Sequence, residues 1–164
     1  MNAVLDAVAV PVVAAGGIGT ARDVAAALVA GAAGVRVGTR FVAASECDAH
    51  PEYVAALVAA GAEDTVLTGR FSVMWPDAPH RVLRSAIAAA ETCPDDVVGE
   101  MELGGSRQPL PRFAVACPTR TTTGTIAAMA LYAGESVGAV RGVMPAADIV
   151  HELMDGAERL LRVW

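Results

Sequence analysis

The stretch AAGGIGTARD, residues 14–23, places three glycines between an apolar run and an alanine-rich segment. Residues 8–14 are rich in valine and apolar on both faces, which is typical of a parallel strand covered by helices. After the glycines, Thr20 and Asp23 have the spacing of a helix N-cap and its reciprocal acidic partner. The stretch therefore predicts a strand, a glycine turn and a helix over residues 21–30.

A second apolar run, residues 33–37, is followed by a second turn at Gly38 and Thr39. This spacing of strand, helix and strand is that of a βαβ unit, whose strands are parallel. Both turns then lie at one edge of a sheet, where the N–H groups of Gly16, Gly17 and Gly38 and the Thr39 hydroxyl can bind a phosphate. Two tight βα turns without a ligand fit the same spacing, so this alternative stays open.

Composition and charge favour a folded, cytoplasmic protein and exclude several classes of function. Of 164 residues, 54% are hydrophobic, and the net charge is −6 with no lysine. Without a basic cluster, the chain is not expected to bind nucleic acid or an anionic membrane surface. Cys47, Cys93 and Cys117 lack the spacing of a zinc site or a disulfide framework, so no metal is predicted. Neither a signal peptide nor a long apolar span is recognised.

The chain beyond residue 62 is predicted to be a mainly helical extension, which divides the protein into residues 1–62 and residues 63–164. Residues 64–72 fit either a short strand or an extended loop. Residues 93–118 are rich in proline and glycine and are predicted to form an irregular connection. The predicted helices cover residues 51–60, 80–91, 121–133 and 146–162.

Several stretches resemble the nitronate monooxygenase family, also called 2-nitropropane dioxygenases. The resemblance spans most of the chain and is weakest over residues 93–118. The matching stretches are AAGGI (14–18), GTRF (38–41), the S-E-x-x-A-H-P-x-Y pattern (45–53) and the tail YAGESVGAVRGVMPAADIVHEL (132–153).

The resemblance implies an α/β fold, namely the carboxyl-terminal portion of an FMN-binding (βα)8 barrel followed by the helical extension. It implies an FMN-dependent oxidoreductase that oxidises small alkyl nitronates with O2 to a carbonyl compound and nitrite. It places the FMN phosphate on residues of both turns. These residues are Ala15, Gly16, Gly17, Ile18, Gly38 and Thr39.

The resemblance names no catalytic residue, because the family's glycine-rich segment with its catalytic histidine has no counterpart and none of His50, His80 and His151 has such a setting. Arg36 and Arg40 fit ion pairs as well as ligand contacts. A (βα)8 barrel needs about 250 residues, so the other strands are expected from a complementing amino-terminal barrel segment or a homodimer. Two alternatives stay open: a flavin-dependent enoyl-acyl-carrier-protein reductase type, and a non-catalytic flavin- or phosphate-binding module that needs a partner.

Overall fold

The structure is a computed structural model that describes residues 1–162 of the chain. Helices and strands alternate in a mixed α/β arrangement. The α-helices are α1 (Asn2–Ala7), α2 (Ala21–Val29), α3 (Thr39–Val42), α4 (Pro51–Ala59), α5 (Arg84–Thr92) and α6 (Ala146–Leu161). The strands are β1 (Val13–Ala15), β2 (Gly34–Arg36), β3 (Thr65–Thr68), β4 (His80–Leu83), β5 (Val97–Leu103), β6 (Ser106–Pro111) and β7 (Thr123–Gly124). Short 3-10 helices cover Ala62–Asp64, Ile126–Ala128 and Glu135–Ala139.

The predicted βαβ unit is present. Strands β1 and β2 are parallel, and α2 connects them with the predicted reciprocal cap between Thr20 and Asp23. The expectation that the first strand is buried on both faces was wrong, since the side chain of Val13 is 59% exposed. This sheet has two strands within residues 1–162, so each of them is an edge strand there.

Helix α6 packs against α2, so the first and last parts of the chain share one core. Ile149, Leu153 and Ala157 recur every fourth residue on α6 and form its buried face. They meet Val24 and Ala27 of α2 in one apolar cluster. The carboxyl-terminal helix therefore covers the helix that follows the first glycine turn. Within residues 1–162 no helix has the length and apolarity that a bilayer span requires.

The middle of the chain has its own core and contains more strand than was predicted. Residues 80–91 were expected to be one helix, but β4 takes the first four residues, pairs antiparallel with β3 and also bridges Tyr132. Val82 and Leu83 of β4 are buried between these partners. Tertiary pairing thus overrides a helical pattern, and the helix begins at Arg84.

The predicted irregular connection over residues 93–118 is in fact mostly a β-hairpin of β5 and β6, with β7 on the other side of β5. Gly104 and Gly105 form its two-residue turn with φ of 61° and 80°, which suits the primed turns that join antiparallel strands. The helix expected over residues 121–133 is replaced by β7, a 3-10 turn and extended backbone. The extension is therefore mixed rather than mainly helical. The predicted boundary after residue 62 stays a prediction.

A buried arginine joins three segments that are far apart in the sequence. Arg40 of α3 is only 6% exposed. Its Nη1 donates to the carbonyl oxygen of Ala139 at 2.6 Å, and its Nη2 donates to Oε2 of Glu152 on α6 at 2.7 Å. Of the two uses that the sequence left open for Arg40, the structure shows the ion pair.

Replacing Arg40 by methionine is expected to destabilise the chain by about 2 kcal/mol, because the partly buried Ala139 carbonyl loses its donor and Glu152 loses its partner. The matched control is Arg107→Met, whose ion pair with Glu100 is exposed on both sides and is expected to contribute about 0.5 kcal/mol. Urea unfolding of both variants measures the difference. Equal losses of unfolding free energy would contradict a joining role for Arg40.

Candidate functional site

The two glycine turns open into one cavity of about 280 Å³ at the carboxyl ends of β1 and β2. All six residues that the sequence placed at the cofactor phosphate line this cavity, which we call the two-turn cavity. Three further lining residues were not assigned to the site from the sequence. The lining consists of Ala15, Gly16, Gly17, Ile18, Arg36, Gly38, Thr39, Gly134 and Ser136.

The first turn leaves both space and hydrogen-bond donors at the cavity. Gly16 and Gly17 have φ of 92° and 71°, a conformation that side chains with a Cβ rarely adopt. A Cβ built at either glycine, or at Gly38, meets no atom within 4 Å. Among residues 1–162, no protein acceptor takes the backbone N–H of these three glycines. The turns therefore present free N–H groups to open space.

The cap of α2 fixes the end of the first turn. Oδ2 of Asp23 accepts hydrogen bonds from the backbone N–H of Gly19 at 3.0 Å and of Thr20 at 2.8 Å. Partial burial of the Asp23 carboxylate opposes its ionisation, but these bonds and one from the Thr20 hydroxyl outweigh burial and hold the pKa of Asp23 below its ordinary value. The turn is thus anchored to the helix start by an ionised side chain.

A third segment, residues 134–136, closes one side of the cavity. The backbone N–H of Gly134 donates to Oγ1 of Thr39 at 3.0 Å, which leaves the Thr39 hydroxyl hydrogen free to donate elsewhere. Ser136 lies close to the first turn, since a Cβ added at Gly19 would come within 2.8 Å of its Cβ. Gly134 and Ser136 lie about a hundred residues after the turns, so sequence spacing could not assign them to the site. They do belong to the tail, residues 132–153, that resembles the family.

The donors around the two-turn cavity suit a phosphate. Arg36 adds a positive charge, and no carboxylate among residues 1–162 lies within ion-pair distance of it. Glycine N–H groups, the hydroxyls of Thr39 and Ser136 and one guanidinium together can hydrogen-bond a phosphate and offset part of its charge. The residues present are thus compatible with the FMN phosphate that the resemblance implies here, and that assignment stays a prediction.

The three histidines lie outside the cavity lining. His50 caps α4, because its Nδ1 accepts from the backbone N–H of Glu52 at 3.2 Å. The ring of His80 packs edge-on against Tyr132, and His151 is exposed on α6. In the described part of the chain, no three His, Cys, Asp or Glu residues come together as metal ligands do. The arrangement can bind and orient a phosphate, and the residues that line the cavity include no His, Cys, Asp, Glu, Lys or Tyr that could transfer a proton.

Comparison with known proteins finds a matching family model and a relative with the same name. The family model described as nitronate monooxygenase matches residues 1–156. The nitronate monooxygenase npaC of Metarhizium robertsii is 34% identical over 162 residues, covering 93% of this chain and 43% of that protein.

A second relative has a different name. The (3aS,4S,5R,7aS)-5-hydroxy-7a-methyl-1-oxo-octahydro-1H-indene-4-carboxyl-CoA dehydrogenase of Rhodococcus jostii is 39% identical over 110 residues, covering 67% of this chain and 27% of that protein. The chain thus spans less than half the length of either relative.

Solved structures with the same fold cover nearly the whole chain. Nitroalkane oxidase from Streptomyces ansochromogenes superposes with a TM-score of 0.69 at 26% identity, covering 99% of this chain and 44% of that one. FabK from Thermotoga maritima superposes with a TM-score of 0.67, also at 26% identity, covering 98% of this chain and 48% of that one. Identity above a quarter over this length supports the family match as well as the fold.

The variant Asp23→Asn tests the anchoring of the first turn. It is expected to lose about 1 kcal/mol of unfolding free energy at neutral pH, as other helix caps do. Because the pKa of Asp23 is lower in the folded chain than in the unfolded one, its contribution is present above about pH 4 and is lost as the pH falls through the lowered value. Urea unfolding at about pH 7 and about pH 3 is therefore expected to show a smaller difference from wild type at the lower pH.

The control is Asp155→Asn, which changes an exposed carboxylate on α6 and is expected to alter the unfolding free energy little at either pH. A loss for Asp23→Asn that is the same at both pH values would rule out an ionised anchor.

Proposed function

The chain belongs to the nitronate monooxygenase family, and from that premise we propose that it binds FMN through the two-turn cavity as part of a flavin-dependent oxidoreductase. The observation that carries the proposal is the convergence of free glycine N–H groups, two hydroxyls and the unpaired Arg36 on one cavity. The open space at Gly16 and Gly17 is of the kind that a close-lying phosphate requires. Ala15 and Ile18 complete the walls on the first turn.

In this proposal the chain holds and orients the cofactor. The free N–H groups of Gly16, Gly17 and Gly38 and the hydroxyl of Thr39 would donate to phosphate oxygens, and Ser136 would add a donor from the third segment. When bound, FMN supplies the redox chemistry of the family, the oxidation of small alkyl nitronates with O2 to a carbonyl compound and nitrite. Fixing the phosphate at the end of two strands positions the cofactor relative to the barrel axis.

We further propose that additional parallel strands complete the sheet of β1 and β2. Val13 of β1 is exposed, as is Val10 three residues before it, and a strand edge left open invites pairing. A complementing amino-terminal barrel segment would cover both residues and close the barrel. A homodimer that buries the same strand edge is the other arrangement that would remove these valines from solvent. Such an enzyme fits a cytoplasmic setting, where its three free cysteines stay reduced.

A second candidate is an oxidoreductase acting on a carboxyl-CoA thioester. It is favoured by the 39% identity to a carboxyl-CoA dehydrogenase, which exceeds the 34% identity to npaC, although over a shorter stretch. It shares the proposed cofactor site and differs in the substrate. The enoyl-acyl-carrier-protein reductase type also differs from the leading proposal in substrate, and would consume a reduced nicotinamide. A non-catalytic flavin-binding module would retain the cofactor without turnover.

The variant Gly17→Ala is expected to weaken FMN binding by about tenfold or more, because its Cβ enters the space of the phosphate and its φ is strained. The control Gly104→Ala carries a comparable strain at φ 61° in the β5–β6 turn, with no atom near the new Cβ. Flavin absorbance retained after desalting measures both. Equal FMN retention by Gly17→Ala and Gly104→Ala would contradict the assigned site.

Activity assays separate the candidate functions. The FMN-loaded chain is assayed alone and together with the amino-terminal part of npaC, which supplies the remaining barrel strands. The leading proposal predicts nitrite release from an alkyl nitronate in the presence of O2, with no need for a nicotinamide, and a rise in rate when the segment is added. Turnover of a carboxyl-CoA thioester without nitrite release would favour the second candidate. Retained flavin with no turnover in either mixture would favour the binding module.

A further inference from the structure

A second cavity, larger than the two-turn cavity, lies against α4. It is a groove of about 690 Å³, a volume typical of small-molecule sites. It shares no lining residue with the two-turn cavity. We call it the Arg120 groove, and its principal lining residues are Val54, Ala55, Val58, Ala59, Val143 and Arg120.

The walls of the Arg120 groove are apolar. One wall is a face of α4, where Val54 and Val58 are one helical turn apart. Val143 also lines the groove and is 62% exposed, and Val58 is 39% exposed. Exposed valines on a concave surface favour a ligand with an apolar body.

The groove carries one fixed positive charge. Nη2 of Arg120 donates to the carbonyl oxygens of Ser45 and Cys47, each at 2.6 Å, which holds the guanidinium in place. No carboxylate among residues 1–162 lies within ion-pair distance of Arg120, although six other arginines have such a partner. The remaining N–H groups of its planar fork match one carboxylate.

We propose that the Arg120 groove binds an apolar molecule with a single carboxylate, such as an aliphatic acid, with the carboxylate on Arg120 and the chain along Val54, Val58 and Val143. A monoanion fits better than a phosphate, because one arginine faces the groove and its Nη2 is already occupied. The site is separate from the proposed FMN site and does not depend on it. Its occupant would be a substrate or an effector distinct from the cofactor.

The test is calorimetric titration of the full chain with decanoate at neutral pH and low salt. Decanol, which has the same chain without the charge, and acetate, which has the charge without the chain, are the comparison ligands. The proposal predicts saturable one-to-one binding of decanoate, at least about tenfold tighter than decanol, and no measurable binding of acetate. Decanoate that binds no tighter than decanol, or with no saturation, would overturn it.

Three variants locate the site. Arg120→Met is expected to weaken decanoate binding by about tenfold while leaving decanol binding unchanged, a split that general loosening of the fold would not produce. Val58→Asp is expected to abolish binding of both ligands, because it places a carboxylate on the apolar wall. The matched control Val29→Asp alters a valine that is 74% exposed at the end of α2, outside the groove. Equal loss for Val58→Asp and Val29→Asp, or for both ligands in Arg120→Met, would overturn the assignment.

Discussion

The buried guanidinium of Arg40 is the contact on which the arrangement around the two-turn cavity depends. Arg40 follows Thr39 directly, so the second glycine turn moves with it. Its bond to the Ala139 carbonyl holds the end of the 3-10 helix that begins beside Gly134, and its bond to Glu152 holds α6. One side chain therefore fixes the second turn and the third wall relative to each other. A charge buried to this extent is tolerated because Nη1 meets a carbonyl oxygen and Nη2 meets the carboxylate of Glu152.

Two apolar cores support this site. The core between α2 and α6 fixes the first turn, because α2 begins where that turn ends. The core of the middle segment includes β4, which pairs with residues 131–133. This pairing places Gly134 and Ser136, which follow directly, at the cavity. The long segment between Val42 and Ala146 thus returns to the cavity, where its Gly134 N–H holds the Thr39 hydroxyl and its Ser136 adds a hydroxyl to the lining. The site is built by packing between distant parts of the sequence rather than by one local motif.

The sequence was most informative where local rules decide the structure. The glycine turns, the Thr20–Asp23 cap and the parallel βαβ unit follow from residue type and spacing, and all are present. The sequence was least informative where pairing with distant strands decides the secondary structure. Residues 80–83 become a strand because β3 and Tyr132 pair with them. The Gly104–Gly105 pair was a local sign of the β5–β6 hairpin, but the proline and glycine content of residues 93–118 led to the prediction of an irregular connection. Gly134 and Ser136 reach the cavity only through tertiary packing.

The most direct measurement is the backbone amide spectrum of the 15N-labelled chain during titration with FMN. We expect the amides of Gly16, Gly17, Gly38 and Thr39 to shift together and to saturate at one FMN per chain. We expect inorganic phosphate to shift the same amides more weakly. Saturable shifts confined to other parts of the chain, with these four amides unmoved, would contradict the claim that the two glycine turns form the cofactor site.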